Sequence, residues 1–220
     1  MPALAAASLI SCEDKTDGLT GVTYYPVFEV LGDIETVVYV GENYVDAGCE
    51  ATLNGEDITA DVKVSQNVDT STPGIYSVVY SATNELGFTS SIARTVYVAR
   101  ENSIDNLYFG TVDLFGKRFS GAPIFVTDMG NGEYMIDDGL AGYYFYGRYP
   151  GYEPTYDFHA EVTVKLEGNS IVQVGDTGEW YFGDPVEIKS GSYDSASGVI
   201  SYSGEFAGSA FSVVLNPVTK

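Results

Sequence analysis

Hydrophobic and polar positions alternate in short runs along most of the chain, and turn residues punctuate the runs. A period of two puts successive side chains on opposite faces of a strand, so the pattern predicts an all-β protein. Val27 to Val30 and Thr36 to Val40 read as strands separated by a Gly32-Asp33 turn. Asn54-Gly55 is a hairpin signal, because both residue types tolerate the positive φ of a tight primed turn, and Val62 and Val64 mark the next strand. Ser71-Thr72-Pro73-Gly74 feeds Ile75 to Ala82, with Tyr76, Val78 and Tyr80 on one face and Ile75, Ser77 and Val79 on the other. Asn84 to Gly87 turns the chain back into Thr89 to Val98, which sets Ile92, Arg94, Val96 and Val98 against Ala93, Thr95 and Tyr97. Short alternating strands broken by frequent turns predict an immunoglobulin-like β-sandwich over residues 24–100.

Arg100 to Asp105 is a polar break, and strand signals restart beyond it. Residues 101–105 are therefore expected to link the sandwich to a second domain at 106–220, with 1–23 as a separate leader and tether. The second domain offers nine candidate strands: Leu107 to Val112, Ala122 to Asp128, Gly132 to Asp137, Gly142 to Tyr146, Phe158 to Glu167, Ser170 to Val174, Val186 to Tyr193, Gly198 to Gly204 and Ser209 to Asn216. No convincing helix interrupts them. So many short strands suggest an antiparallel meander closed into a β-barrel or folded as a second β-sandwich.

Four stretches of the first domain carry a family resemblance: Val45-Asp46-Ala47-Gly48, Gly55-Glu56-Asp57-Ile58-Thr59, Val68 to Tyr76, and Tyr80-Ser81-Ala82-Thr83-Asn84 with Gly87. Together they resemble the bacterial immunoglobulin-like repeat of surface proteins, which implies a spacer or presentation module. Cys49 stands where that repeat usually carries an aliphatic residue. In the second domain Gly132-Glu133-Tyr134, Asp138-Gly139, Gly142-Tyr143-Tyr144 and Phe211 to Leu215 are similar to the C-terminal domain that follows such modules in Bacteroides-type surface lipoproteins. That family implies no established activity.

Charge narrows the partners. Ten Lys and Arg against 31 Asp and Glu give a formal net charge of -21, a surface that repels phosphate backbones, so nucleic acid is excluded as an expected partner. Disorder is not the consequence, because 45% hydrophobic residues with 18 Tyr and 11 Phe supply ample surface to bury.

The two cysteines, Cys12 and Cys49, sit in different contexts. Cys12 ends the apolar run Leu4 to Ser11, which reads as the end of a signal peptide and is too short to span a bilayer. Leu9-Ile10-Ser11-Cys12 resembles the bacterial lipobox, which implies lipidation at Cys12, although no basic segment precedes it. The acidic stretch from Glu13 to Asp17 resembles the signal that displays Bacteroides-type lipoproteins on the extracellular face of the outer membrane; a plain solvated linker is the alternative. The membrane is thus expected to be met through the lipid anchor alone.

Catalytic chemistry finds little support. The one histidine, His159, lies in a predicted strand, and no Gly-x-Ser-x-Gly elbow or phosphate-binding loop occurs. No catalytic residue, cofactor or metal site is therefore assigned. His and Cys are too few for a zinc site of at least three protein ligands. The Asp128 to Glu133 turn lacks the acids of a calcium loop, and Asp137 and Asp138 would face opposite sides of a strand.

The distinctive feature is aromatic. Tyr143, Tyr144, Phe145, Tyr146, Tyr149, Tyr152 and Tyr156 crowd one segment broken by Gly147, Pro150, Gly151 and Pro154, and Trp180, Tyr181 and Phe182 form a second group. Gly and Pro keep such a segment irregular and at the surface, where a ring with a hydroxyl can stack on a sugar face and hydrogen-bond to it. The expected ligand-binding residues are Tyr146, Arg148, Tyr149, Tyr152, Tyr156, Trp180 and Tyr181, with Glu153 and Asp157 as further polar contacts. The same rings could instead staple a wide loop to the barrel. The leading expectation is a non-catalytic lipoprotein that binds an extracellular polysaccharide or oligosaccharide, neutral because of the net charge, in a layout similar to the binding lipoproteins of polysaccharide-uptake systems. An adhesive or structural module contacting another surface protein is the rival, and a hydrolase with two opposed carboxylates the third alternative.

Overall fold

The structure is a computed structural model that describes residues 22–152 and 155–220. The lipobox cysteine Cys12, its acidic tether and Glu153 lie outside the described residues.

Two sheets form the first unit. One pairs β1 (Val27–Val30), β3 (Cys49–Leu53) and β4 (Glu56–Asp57); the other orders β2 (Glu35–Tyr39), β7 (Thr89–Ala99), β6 (Gly74–Thr83) and β5 (Lys63–Gln66). β2 runs parallel to β7, and all other pairs are antiparallel. The Asn54-Gly55 hairpin forms as expected, with φ of 52° and 83° at its two residues. Val78, Tyr80, Val96 and Val98 are fully buried between the sheets, the inward face that the alternation predicts, and Cys49 packs with them.

The second unit is an eight-stranded antiparallel barrel of β8 (Asn106–Leu114), β9 (Lys117–Gly130), β10 (Glu133–Ile136), β11 (Val162–Glu167), β12 (Ser170–Gln173), β13 (Val186–Tyr193), β14 (Ile200–Phe206) and β15 (Ser209–Pro217). Each strand pairs with the next in sequence, and β15 closes the barrel on β8, from Phe211 opposite Leu114 to Pro217 opposite Tyr108. Closure removes the sheet edges that would otherwise invite pairing with another chain. Inward residues such as Tyr108, Val112, Ile124, Val164, Tyr202 and Val213 fill the interior with side chains.

One expected strand does not form. Gly142 to Tyr146 lies instead in a π-helical turn, Tyr143–Arg148, where the amides of Tyr146 and Gly147 both reach the Gly142 carbonyl at 3.0 and 3.1 Å. The reason lies just upstream. Buried Asp138 accepts the Leu140 and Gly142 amides at 2.9 and 2.8 Å, and Gly142 adopts a φ of 78°. A carboxylate cap and a left-handed glycine start a turn whatever the alternation of the rings that follow. The strand expected from Phe158 likewise begins only at Val162.

Sandwich and barrel meet along a small apolar cluster. Ala99, Leu107 and Val218 are buried in it, with Tyr97 and Phe109 edge-to-face at 5.4 Å. Asn106 clamps the connection by accepting the Arg100 amide at 2.7 Å and donating to the Arg100 carbonyl at 2.8 Å. Within the expected linker, Ile104 is buried with the barrel core.

Candidate functional site: an aromatic cap on the barrel

The two ends of the barrel differ. Near the sandwich the strands are joined by tight turns at Asn131 and Asn169 and by the short reversal after Tyr193. The opposite end carries the long connections, residues 137–161 and 174–185, together with the two-residue hairpin Phe115-Gly116. β8 runs from the sandwich junction at Asn106 to this far end at Leu114, so the long loops gather away from the sandwich. Loops borne on a rigid scaffold are where binding residues concentrate.

Both aromatic groups predicted from the sequence lie in these loops, and the fold brings them together. Tyr149, Tyr152, Tyr156, Tyr181 and Phe182 form a closed circuit of neighbouring rings. Centroids are 6.0 Å apart from Tyr149 to Tyr152, 6.2 Å from Tyr152 to Tyr156, 4.8 Å from Tyr156 to Tyr181, 5.1 Å from Tyr181 to Phe182 and 6.2 Å from Phe182 back to Tyr149. Phe158, only 4% exposed, is the hub, within 5.2 to 6.0 Å of Tyr149, Tyr156, Tyr181 and Phe182. Tyr152 and Tyr181 are the most open rings, at 56% and 54%.

Trp180 corrects one expectation. It is 8% exposed, donates its indole N–H to the Asp184 carbonyl at 2.9 Å, and packs on Tyr144, Phe182 and Phe206. It is a floor beneath the cap rather than an exposed contact. Its neighbours in sequence point outward because the 174–185 segment forms no ladder strand at this point and Tyr181 is held by its own amide bond to the Asp157 carbonyl at 2.8 Å. Tyr146 is exposed but stands off the circuit, edge-on to Phe145 at 4.5 Å.

Phe158 and Phe182 join the cap without being among the expected ligand-binding residues: the alternation puts Phe158 at the start of a strand, and Phe182 lies in the second aromatic group. The only available signal was their spacing from Tyr156 and Trp180.

Polar groups border the rings. The Arg148 guanidinium lies over the Tyr149 ring, 5.8 Å from its centroid, a cation–π contact. Asp157 accepts the His159 amide at 2.9 Å and lies 3.2 Å from His159 Nδ1. His159 itself sits against Phe145 at 4.1 Å, on irregular chain rather than in the expected strand. Burial pushes the Tyr144 hydroxyl up to about 12, so it stays a neutral phenol beneath the cap.

Asp137 and Asp138 lie behind the cap, beyond the end of β10, where the alternation argued for them no longer applies. Asp137 accepts the Phe125 amide at 3.0 Å, while Asp138 holds the turn that leads into the aromatic segment. Asp128 accepts the Gly130 amide at 2.7 Å in its own turn. Among the described residues no three His, Cys, Asp or Glu side chains gather as metal ligands.

The architecture is an immunoglobulin-like sandwich followed by a closed barrel with a loop-built cap. A family model described as the bacterial surface protein Ig-like domain matches residues 28–98, and a second model, of a C-terminal domain, matches residues 65–217. The crystal structure of the lipoprotein BT2262 from Bacteroides thetaiotaomicron is similar at 30% identity, over 87% of this chain and 100% of that one, with a TM-score of 0.58. This chain belongs to the family of that lipoprotein. Two structures from Clostridium perfringens ZmpB also match, one of CBM51-2 in complex with GlcNAc and INT domains and one of the M60 catalytic domain with CBM51-1 and CBM51-2. They share 16% and 15% identity, cover 89% and 88% of this chain and 44% and 21% of their own, and have TM-scores of 0.28 and 0.29, too low to carry an argument. No curated protein matches the chain.

Proposed function

We propose that this is a non-catalytic lipoprotein of the bacterial cell surface that binds an extracellular saccharide on its aromatic cap. The supporting observation is the circuit of Tyr149, Tyr152, Tyr156, Tyr181 and Phe182 around buried Phe158, held in loops at the barrel end farthest from the sandwich. Rings so placed leave apolar faces open to water, and a sugar's C–H face covers such a ring while its hydroxyls bond to tyrosine hydroxyls at the rim. The sandwich serves as the spacer, and Cys12 as the lipid attachment point on the outer membrane.

A glycan array probed with residues 24–220, followed by titration calorimetry of the best saccharide, tests the cap. Tyr152→Ala and Tyr181→Ala should each weaken binding by about 1 to 3 kcal/mol, the usual cost of removing an aromatic anchor, with little change in melting temperature. Unchanged affinity in both variants, or no array signal with any saccharide, would sink the proposal. For the anchor, expression behind a complete export signal should place the protein in the membrane fraction. Cys12→Ala should then release it, and an unmodified Cys12 in mass spectra would refute lipidation.

A further inference from the structure

Beside the cap lies a second feature that the proposed stacking does not use. A shallow cavity of about 130 Å³ is lined by Lys117, Arg118, Phe119, Tyr143, Gly147 and Arg148. Three of the chain's ten Lys and Arg therefore line one depression, and no carboxylate is among its six lining residues.

Elsewhere the described cations mostly have carboxylate partners in the fold. Arg94 is held by Asp46, Arg100 by Asp105, Lys189 by Glu187 and Glu205, and Lys220 by Glu42. Among the described residues, only Arg118 of the lining cations meets a carboxylate, its cross-strand partner Asp113, at 3.5 Å with both side chains largely exposed. Exposed pairs of that length are worth little and exchange readily for another anion. Three cations less one carboxylate leave a local charge of +2 in a chain whose formal total is -21.

The Debye length is about 8 Å at physiological ionic strength, so acids farther than that from the cavity act on it only weakly. The total charge therefore does not forbid an anionic ligand there, which limits the argument from net charge alone. Lys117 lies opposite inward Leu114, on the same face of β9 as Phe119, whereas its neighbour Arg118 points to the outer face with Asp113, so Lys117 and Arg148 are the two cations placed to meet a carboxylate or sulfate oxygen at the depression.

The placement of these cations is built into the fold. Lys117 and Arg118 begin β9 directly after the Phe115-Gly116 hairpin, whose positive φ angles of 51° and 69° make a tight two-residue turn. Arg148 is carried in by the π-helical turn, which approaches so closely that a Cβ on Gly147 would lie 2.9 Å from the Phe119 ring. Arg148 also reaches the other way, over Tyr149 of the circuit. One side chain thus borders both the open rings and the cationic depression, so a sugar stacked on the cap can direct a negative substituent toward it.

We infer that Lys117 and Arg148 form a subsite for the anionic substituent, carboxylate or sulfate ester, of an acidic saccharide whose sugar ring stacks on the neighbouring cap. The inference rests on the saccharide proposal above, but its test separates the two.

Binding of a galacturonate tetrasaccharide, of its fully methyl-esterified neutral form and of a sulfated chondroitin tetrasaccharide would be measured by calorimetry in 0.15 M salt. At least one acidic probe should bind more tightly than the neutral one, and which of the two does so identifies carboxylate or sulfate as the source. Arg148→Gln and Lys117→Gln should each reduce binding of that probe by about tenfold, the loss of one charge-assisted hydrogen bond, and Lys117→Gln, which lies outside the ring circuit, should leave any neutral-probe affinity and the melting temperature nearly unchanged. Equal binding of acidic and neutral probes, no binding of either acidic probe, or a preference that survives both substitutions would overturn the subsite. Loss of all binding in Tyr152→Ala with an unaltered acid preference in Arg148→Gln and Lys117→Gln would leave the cap standing without it. Acid binding that persists in Tyr152→Ala and Tyr181→Ala but vanishes in Arg148→Gln would keep the subsite and remove the cap.

Discussion

Asp46 and Arg94 meet inside the sandwich, Nη1 to Oδ1 at 2.7 Å, forty-eight residues apart in sequence. The same carboxylate accepts the Tyr80 hydroxyl at 2.6 Å, the Tyr44 hydroxyl at 2.9 Å and the Gly48 amide at 3.0 Å, while Arg94 also donates to the Leu31 carbonyl. The acid of the Val45-Asp46-Ala47-Gly48 motif is therefore the knot that ties β7 and β6 to the loop before β3. Breaking a buried pair by removing one partner typically costs about 3 to 5 kcal/mol, because the other charge is left without compensation. Asp46→Ala should lose stability on that scale in urea melts of the intact protein. A change below about 1 kcal/mol, the usual range for surface pairs, would show that the pair contributes no more than an exposed one.

The two carboxyls behind the cap make stability depend on pH. Burial raises Asp137 to about 7, against a lesser opposing effect of its hydrogen bond from Phe125. Burial likewise raises Asp138, although the Leu140 and Gly142 amides oppose it. The folded protein therefore holds these protons more tightly than the unfolded chain. Their contribution is complete below the ordinary carboxylate range and is lost as pH rises through about 7. Melting temperature should be higher at pH 5 than at pH 8, and Asp137→Asn should flatten the difference. At Asp46 burial pushes upward, but the bonds from Tyr80 and Tyr44 and the Arg94 charge outweigh it and leave the carboxyl lowered. Its contribution is present above the ordinary range and disappears as pH falls below it, so stability should drop again in stronger acid. A melting temperature that climbs steadily from pH 5 to pH 8 would contradict this assignment.

Phe158 and Tyr152 separate structure from recognition within the cap. Removing the buried hub in Phe158→Ala should cost about 3 to 5 kcal/mol, as large-to-small changes of buried aromatics do, and should weaken near-ultraviolet circular dichroism from the tyrosines around it. Tyr152→Ala removes the most open ring and should shift stability by no more than about 0.5 kcal/mol. Comparable losses in both variants would mean that the circuit is core.

The turn that carries Arg148 offers a sharper probe. A Cβ on Gly142 would stand 2.2 Å from the Ala122 side chain, and the residue holds a φ of 78°. Gly142→Ala meets both obstacles and should cost more than about 1 kcal/mol, the lower range for a strained left-handed residue. It should also displace the Tyr143–Arg148 turn from Phe119. If the variant melts like the parent, the close packing of turn on barrel is not what holds the loop.

Strands with a clear polar phase were legible: the Thr89 to Val98 alternation puts Arg94, Val96 and Val98 on one face, and that face is the buried one. The partner of Arg94 was not legible, since nothing local links positions 46 and 94. The segment from Tyr143 to Tyr146 is aromatic at every position, so it contains no polar phase to distinguish a strand from a turn; the deciding groups, Asp138 and Gly142, lie before it. Trp180 is expected among the ligand-binding rings as part of the second aromatic group, yet membership of a loop does not decide burial. Packing on Tyr144 and Phe206 does, and both come from elements remote in sequence.

Strand β8 joins the two ends of the molecule. Its first residues, Leu107 and Phe109, are pressed against the sandwich, and its last, Leu114, lies beneath the capped end, with β9 and β15 hydrogen-bonded along both sides. A tug on anything held at the cap, resisted by the sandwich, is thus transmitted lengthwise along this strand. The rungs on either side then share the load in shear, all together, instead of opening one after another like a zip.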